Sequence, residues 1–121
     1  MAKLINLPTI SDDRGSLSVI EKIADFDIKR VYYIYATDGK QRGGHKHKKT
    51  KQLLICINGS CSVFCKNSLK EQSCFELDNP QKCLIVEAED RHTMQDFSKD
   101  AILLVLASEY YDKDDYIDER Y

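Results

Sequence analysis

Apolar residues recur in this chain as short runs, mostly alternating with polar ones, and turn-forming residues interrupt them about every ten positions. Residues 3–10 (KLINLPTI) predict a first strand ending near Pro8. Residues 12–16 (DDRGS) read as a turn, with Gly15 able to take positive φ. Leu17 to Glu21 alternates and predicts a half-buried strand, followed by a polar loop over 22–27 that contains Phe26. The stretch RVYYIY, Arg30 to Tyr35, is β-branched and aromatic almost throughout and predicts a strand. After a turn at 37–40 and a histidine-bearing stretch, strands are predicted at 52–57, 61–65, 72–77 and 83–86. Asn58-Gly59-Ser60, Lys66-Asn67-Ser68 and Asp78-Asn79-Pro80 separate them. Glu87 to Arg91 reads as a charged loop leading into His92. Ala101 to Ala107 (AILLVLA) is continuously apolar; among so many short strands it predicts a buried central strand rather than a helix. The tail over 109–121 sets Tyr110, Tyr111, Tyr116 and Tyr121 among acids and reads as a short helical or irregular segment. The pattern predicts an all-β fold, an antiparallel sandwich or barrel, with one domain over 1–121.

Composition narrows the class. The 121 residues are 42% hydrophobic and 31% charged, a balance that can form a packed core. A net charge of -2 gives no footing for general nucleic-acid binding. Bases gather between Arg42 and Lys51 while acids dominate from Asp112 to Glu119, which implies a local anion site. Five cysteines without a CxxC pair read as structural thiols in a reducing compartment. The start MAKLINLPTI is too short for a signal peptide, and no apolar run approaches membrane-spanning length, so the expected location is cytoplasmic with no membrane partner.

The chemistry concentrates between Gly39 and Gly59. His45 and His47 stand at i and i+2, so in a strand both imidazoles enter the same space. Arg42, Lys46, Lys48, Lys49 and Lys51 surround them. Such a pair serves either a metal site or acid–base work on an anionic substrate; two solvated histidines on a basic edge strand are the plain alternative. From Gly39 the spacing resembles the first cupin motif, G-x5-H-x-H-x3-4-E-x6-G, with Gln52 in place of the glutamate and His92 where a second motif supplies a histidine. A neutral amide oxygen is a poorer ligand for a divalent cation than a carboxylate, which favours chemistry without a metal.

The wider sequence resembles the nucleotide-sugar 3,4-ketoisomerases of the cupin superfamily. The resemblance is carried by DDRGSL, KRVYYIY, RGGHKHKKTKQ and LASEYYDKDDYI and runs from about Ile5 to Tyr121. It implies a cupin-type jelly roll and a homodimer that exchanges N-terminal strands. It also implies a dTDP-4-keto-6-deoxyglucose substrate, no metal or other cofactor, and transfer of the carbonyl from C4 to C3 for deoxyamino-sugar and glycan biosynthesis. The resemblance assigns catalysis to His45 and His47, the first as base. Arg14, Arg30 and Arg42, with Lys48, are the expected diphosphate clamp, since guanidinium forks match phosphate oxygens. Tyr33 and Tyr35 share a face and are candidates for thymine or sugar contacts, with Gln52 and His92 lining the pocket. Arg91 stands where the family usually has Trp, a departure that bears on substrate and on C4 stereochemistry. The competing readings are a metal-dependent cupin enzyme using His45, His47, His92 and Gln52, a nucleotide-sugar binder without activity, and a 3,5-epimerase on the same fold.

Overall fold

The apolar runs pair into two antiparallel five-stranded sheets and one detached hairpin. The structure, a computed structural model, describes residues 1–117. The first sheet has the order β1-β9-β6-β11-β4, formed by β1 (Lys3–Asn6), β4 (Arg30–Ile34), β6 (Gln52–Asn58), β9 (Lys82–Val86) and β11 (Ile102–Ala107). The second has the order β12-β5-β10-β7-β8, formed by β5 (Arg42–His47), β7 (Cys61–Lys66), β8 (Gln72–Leu77), β10 (Arg91–Gln95) and β12 (Tyr116–Ile117). β2 (Thr9–Asp12) pairs only with β3 (Gly15–Ser18). A single 3-10 turn, Lys113–Asp115, precedes β12. The result is the antiparallel sandwich expected from the pattern, in the cupin-like jelly-roll form that the resemblance implies. No helix among the described residues is long and apolar enough to cross a membrane.

The centre of the first sheet explains its unbroken apolar sequence. β6 and β11 lie inside the sheet, and both of its faces are covered. Leu54, Cys56, Leu103 and Val105 turn toward the second sheet and meet Val63, Cys65, Leu77 and Met94. Leu53, Ile55 and Leu106 turn outward, where Leu7, Ile20, Ile23 and Phe26 cover them. Stripping one buried leucine such as Leu103 to alanine costs about 2–5 kcal/mol in such a core.

Three expectations change on contact with the structure. The strand expected over 3–10 is two strands, since Pro8 lacks an N–H and the chain bends there into β2. The half-buried strand expected over Leu17 to Glu21 forms only at its start: β3 ends at Ser18 and is exposed along its whole length, while Ile20 beyond it packs on the first sheet. β10 emerges from what reads as a charged loop. Of its inward residues, His92 borders a cavity and Met94 borders the cavity while joining the core, so only one of the two gives an apolar signal.

Candidate active site

A cavity of about 410 Å³ opens between the sheets at one end of the sandwich. β4 supplies Arg30, Tyr32 and Ile34 through its two-residue period. β5 supplies His45 and His47 in the same way, so the i,i+2 expectation for the histidines holds. β6 contributes Gln52, β10 His92 and Met94, and β12 Tyr116.

Arg42 joins the histidines by a less direct route. It is an odd number of residues from both, which in a regular strand would send it to the other face. The β5–β10 register, however, runs His45 opposite His92 and then Gly43 opposite Thr93, skipping Gly44. This β-bulge shifts the parity, so Arg42 pairs with Met94 and borders the cavity. Both glycines hold the positive φ the bulge needs, +90° at Gly43 and +88° at Gly44.

The histidines differ in setting. His92 is buried, and its Nδ1–H donates to the Asp90 carbonyl at 3.2 Å, which leaves Nε2 as an acceptor. Burial, reinforced by His47 and His45, pulls its pKa down to about 4, so the ring is neutral near pH 7. Its ring centroid lies 6.3 Å from that of His47. His47 is also buried, and burial lowers its pKa while Asp115 works in the opposite direction. His45 is half-buried, with the Tyr116 ring edge-on at 5.4 Å; the same ring stands 4.7 Å from His47.

Asp115 fixes that arrangement from behind. Its carboxylate accepts from the Lys49 N–H at 2.8 Å, from the Thr50 N–H at 3.3 Å and from the Thr50 hydroxyl. Burial acts to raise this carboxyl, but those hydrogen bonds and nearby His47 hold it below the usual carboxylate value. The Lys48 N–H donates to the Asp115 carbonyl, and β12 pairs Tyr116 with His47. The tail thus clamps the histidine strand.

The remaining predicted residues separate into two groups. Arg30, Arg42, Gln52 and His92 border the cavity, with Arg30 stacked over the Tyr32 ring at 4.4 Å. Tyr33 and Tyr35 also border it, their rings 5.6 Å apart, but both remain more than 60% exposed. Arg14, Lys48 and Arg91 do not line this cavity. Arg14 sits on the β2–β3 hairpin, 86% exposed and bound to Asp12 at 2.6 Å. Lys48 borders a separate, open hollow with Met1, Lys51 and Glu87. Arg91 donates to the carbonyls of Gly44 and Ile117, bracing the bulge and the tail strand together.

Tyr32, Met94 and Tyr116 line the cavity and Asp115 braces it from behind, and none of the four was among the site residues predicted from the sequence. For Tyr32 the signal was present: a strand that turns Arg30 into a site must also turn Tyr32 there, two residues on. Tyr116 and Asp115 carried no such signal, because only the folded tail brings them to β5. Among the described residues, no group of three or more His, Cys, Asp or Glu side chains is disposed to hold a metal ion.

Comparison with known proteins agrees with this geometry. The family model described as "FdtA: WxcM-like, C-terminal" matches residues 1–121. The chain is 49% identical over 118 residues to a TDP-4-oxo-6-deoxy-alpha-D-glucose-3,4-oxoisomerase of Aneurinibacillus thermoaerophilus, covering 95% of this chain and 84% of that protein. A point mutant of the 3,4-ketoisomerase QdtA from Thermoanaerobacterium thermosaccharolyticum, solved in complex with TDP-4-keto-6-deoxyglucose, is 45% identical. It superposes with a TM-score of 0.91, covering 98% of this chain and 87% of that one. The TDP-quinovose 3,4-ketoisomerase WlaRB of Campylobacter jejuni is 42% identical with the same TM-score, covering 98% and 92%.

Proposed function

The chain belongs to the FdtA family of WxcM-like sugar-nucleotide 3,4-ketoisomerases, and from that premise we propose that its cavity converts TDP-4-keto-6-deoxyglucose into the 3-keto sugar. The observation that carries this reading is the convergence of His45, His47 and His92 with Arg30 and Arg42 in one cavity. The reaction removes the proton from C3, passes through an enediolate, and returns a proton to C4; the hydrogen on O3 leaves as that on O4 is gained. His45 is the base at C3 and His47 the proton donor or polarising partner at C4. A histidine suits both directions near neutral pH. Arg30 and Arg42 supply positive charge for the diphosphate and for the enediolate. A metal takes no part in this scheme: a neutral amide stands at position 52, and acid–base chemistry suffices for the carbonyl shift.

The same reading extends to the assembly. The protein is a homodimer that exchanges N-terminal strands, supported by the detached β2–β3 arm, whose paired Ile10 and Leu17 are 67% and 58% exposed. An exchanged arm is also the route by which Arg14 serves as a substrate ligand, reaching the partner's cavity instead of its own. The enzyme is a single catalytic domain of the cytoplasm, where thiols such as buried Cys56, Cys61, Cys65 and Cys83 stay reduced. Its keto product feeds deoxyamino-sugar synthesis for glycans.

The test is NMR of TDP-4-keto-6-deoxyglucose incubated with metal-stripped protein in deuterated water. A 3-keto product with deuterium at C4 is expected, and its coupling constants give the C4 configuration. Retention of the 4-keto sugar without exchange would refute the assignment. In His45→Asn protein, loss of exchange at C3 is expected; full exchange would move the base to another residue.

A further inference from the structure

The cavity wall is polar or aromatic almost throughout, and its exceptions fall together. Of the side chains that line it, only those of Ile34 and Met94 carry neither nitrogen nor oxygen. They come from opposite sheets, Ile34 from β4 and Met94 from β10, and belong to one core cluster between them. Both are buried, with 8% and 6% of their surface exposed. Where the cavity meets the core, it therefore ends in hydrocarbon and a thioether.

Strand period and register place this apolar end relative to the charged groups. His92 and Met94 stand at i and i+2 on β10, so they share a face with Cα atoms about 7 Å apart. Across the sheet, Met94 is opposite Arg42. The bulge brings the thioether close to β5: a Cβ built on Gly43 would lie 3.2 Å from Met94 Sδ. On the other sheet, Ile34 ends the row of Arg30, Tyr32 and Ile34, about 13 Å along the strand from Arg30.

The substrate proposed for this cavity has one apolar substituent on its keto-sugar ring, the C6 methyl. In a pyranose, C6 hangs from C5, between C4 and the ring oxygen; beyond that oxygen lies C1 with its phosphate. Met94 holds the matching place, next to the histidine on its own strand and opposite the arginine on the neighbouring one. We propose that Ile34 and Met94 form the seat of the C6 methyl and so select 6-deoxy sugars over sugars that keep a hydroxyl at C6. The proposal rests on the ketoisomerase reading and deepens it by naming what the site recognises besides the ketone. A methyl adds apolar burial there, whereas a hydroxyl gives up its water and finds no partner on either side chain. The ligand's other methyl, on thymine, lies beyond the ribose and diphosphate and falls outside reach once the histidines face C3 and C4.

A pair of unreactive probes isolates the effect: TDP-6-deoxyglucose and TDP-glucose lack the ketone and differ from each other only at C6. Wild-type protein is expected to bind the first at least about 10-fold more tightly. Met94→Gln is expected to shrink that ratio to within about three-fold and Met94→Leu to keep it, with affinity for TDP, which has no sugar, within about two-fold of wild type in both. Contact is read without any variant. The chain has two methionines, Met1 and Met94, and Met1 borders a separate hollow. With isotope-labelled methionine methyl groups, bound TDP-6-deoxyglucose is expected to show a nuclear Overhauser effect from its C6 protons to the Met94 methyl, the signal that Met94→Leu removes. Equal affinity of wild-type protein for the two probes overturns the proposal. So does a ratio unchanged in Met94→Gln, or a Met94 contact to thymine or ribose protons in place of C6. Wild-type protein that binds neither probe nor TDP removes the reading on which the proposal rests; binding of both probes with no contact to Met94 removes only the methyl seat.

Discussion

Burial decides how the inner histidines behave, and that has a consequence for stability. His92 has a folded pKa of about 4 against an ordinary value of 6.5, so it stays neutral in the fold but is protonated in the unfolded chain between those pH values. The unfolded state binds the extra proton, and stability therefore falls as pH drops through that window. Between pH 7 and pH 5 this single residue removes about 2 kcal/mol. Burial of His47 acts in the same direction. Urea unfolding of wild type and His92→Gln at the two pH values measures the effect: the variant is expected to lose markedly less stability on acidification. Equal losses would mean that His92 is solvated in the native state. In the sequence, His92 is visible as a histidine at the right place, but its depth is not, because depth depends on Asp90 and on two sheets closing over it.

The decisive element is β5, and within it the bulge. A Cβ on Gly43 would sit 2.7 Å from the His92 carbonyl oxygen, a backbone atom on the neighbouring strand. A Cβ on Gly44 would meet nothing within 4 Å. Both positions share a left-handed φ, so Gly44→Ala carries only the conformational cost, about 1–2 kcal/mol. Gly43→Ala adds a backbone clash of about 1–3 kcal/mol and presses β10 away from β5, displacing His92 and Arg42 together. Thermal unfolding is expected to show the larger loss for Gly43→Ala, and turnover a larger fall still. Equal melting temperatures for the two variants would contradict the bulge geometry. The pattern Arg42-Gly43-Gly44-His45 marks this stretch as unusual. That Arg42 shares the histidines' side was legible only from the register, since a two-residue period places it opposite.

At the scale of the whole molecule, the N-terminal arm stands out by its exposure. β3 is exposed throughout, and Ile10 and Leu17 face each other across the hairpin with more than half their surface in solvent. At the far edge of the first sheet, β4 leaves Val31 and Tyr33 exposed to 57% and 61%. In the exchanged dimer proposed above, these surfaces are the ones that a partner covers. Replacing both Ile10 and Leu17 with Asp is expected to convert the protein to monomer in sedimentation analysis. On the same proposal kcat/KM is expected to fall with it, since the exchange that would carry Arg14 to a partner's site is lost. A dimer that persists in the double variant would place the interface elsewhere.

The sequence by itself determined the strand-rich class, the central buried strand near 101–107, the paired histidines and the family. The first three are properties of period, composition and spacing, which neighbouring residues carry on their own; the family came from the resemblance of longer stretches such as RGGHKHKKTKQ and LASEYYDKDDYI. The split of 3–10 at Pro8 was half legible, while β10 was not, because one of its two inward residues is the polar His92 at the cavity and Met94 alone makes no apolar alternation to read. Only the tertiary structure decided that Tyr32 meets Gln52 across β11, that Arg91 braces a bulge instead of lining the pocket, and that Asp115 and Tyr116 return to the histidine strand. Each of those depends on residues far apart in the chain. Such contacts are set by strand order and register, which local sequence constrains weakly and the packed sheets fix together.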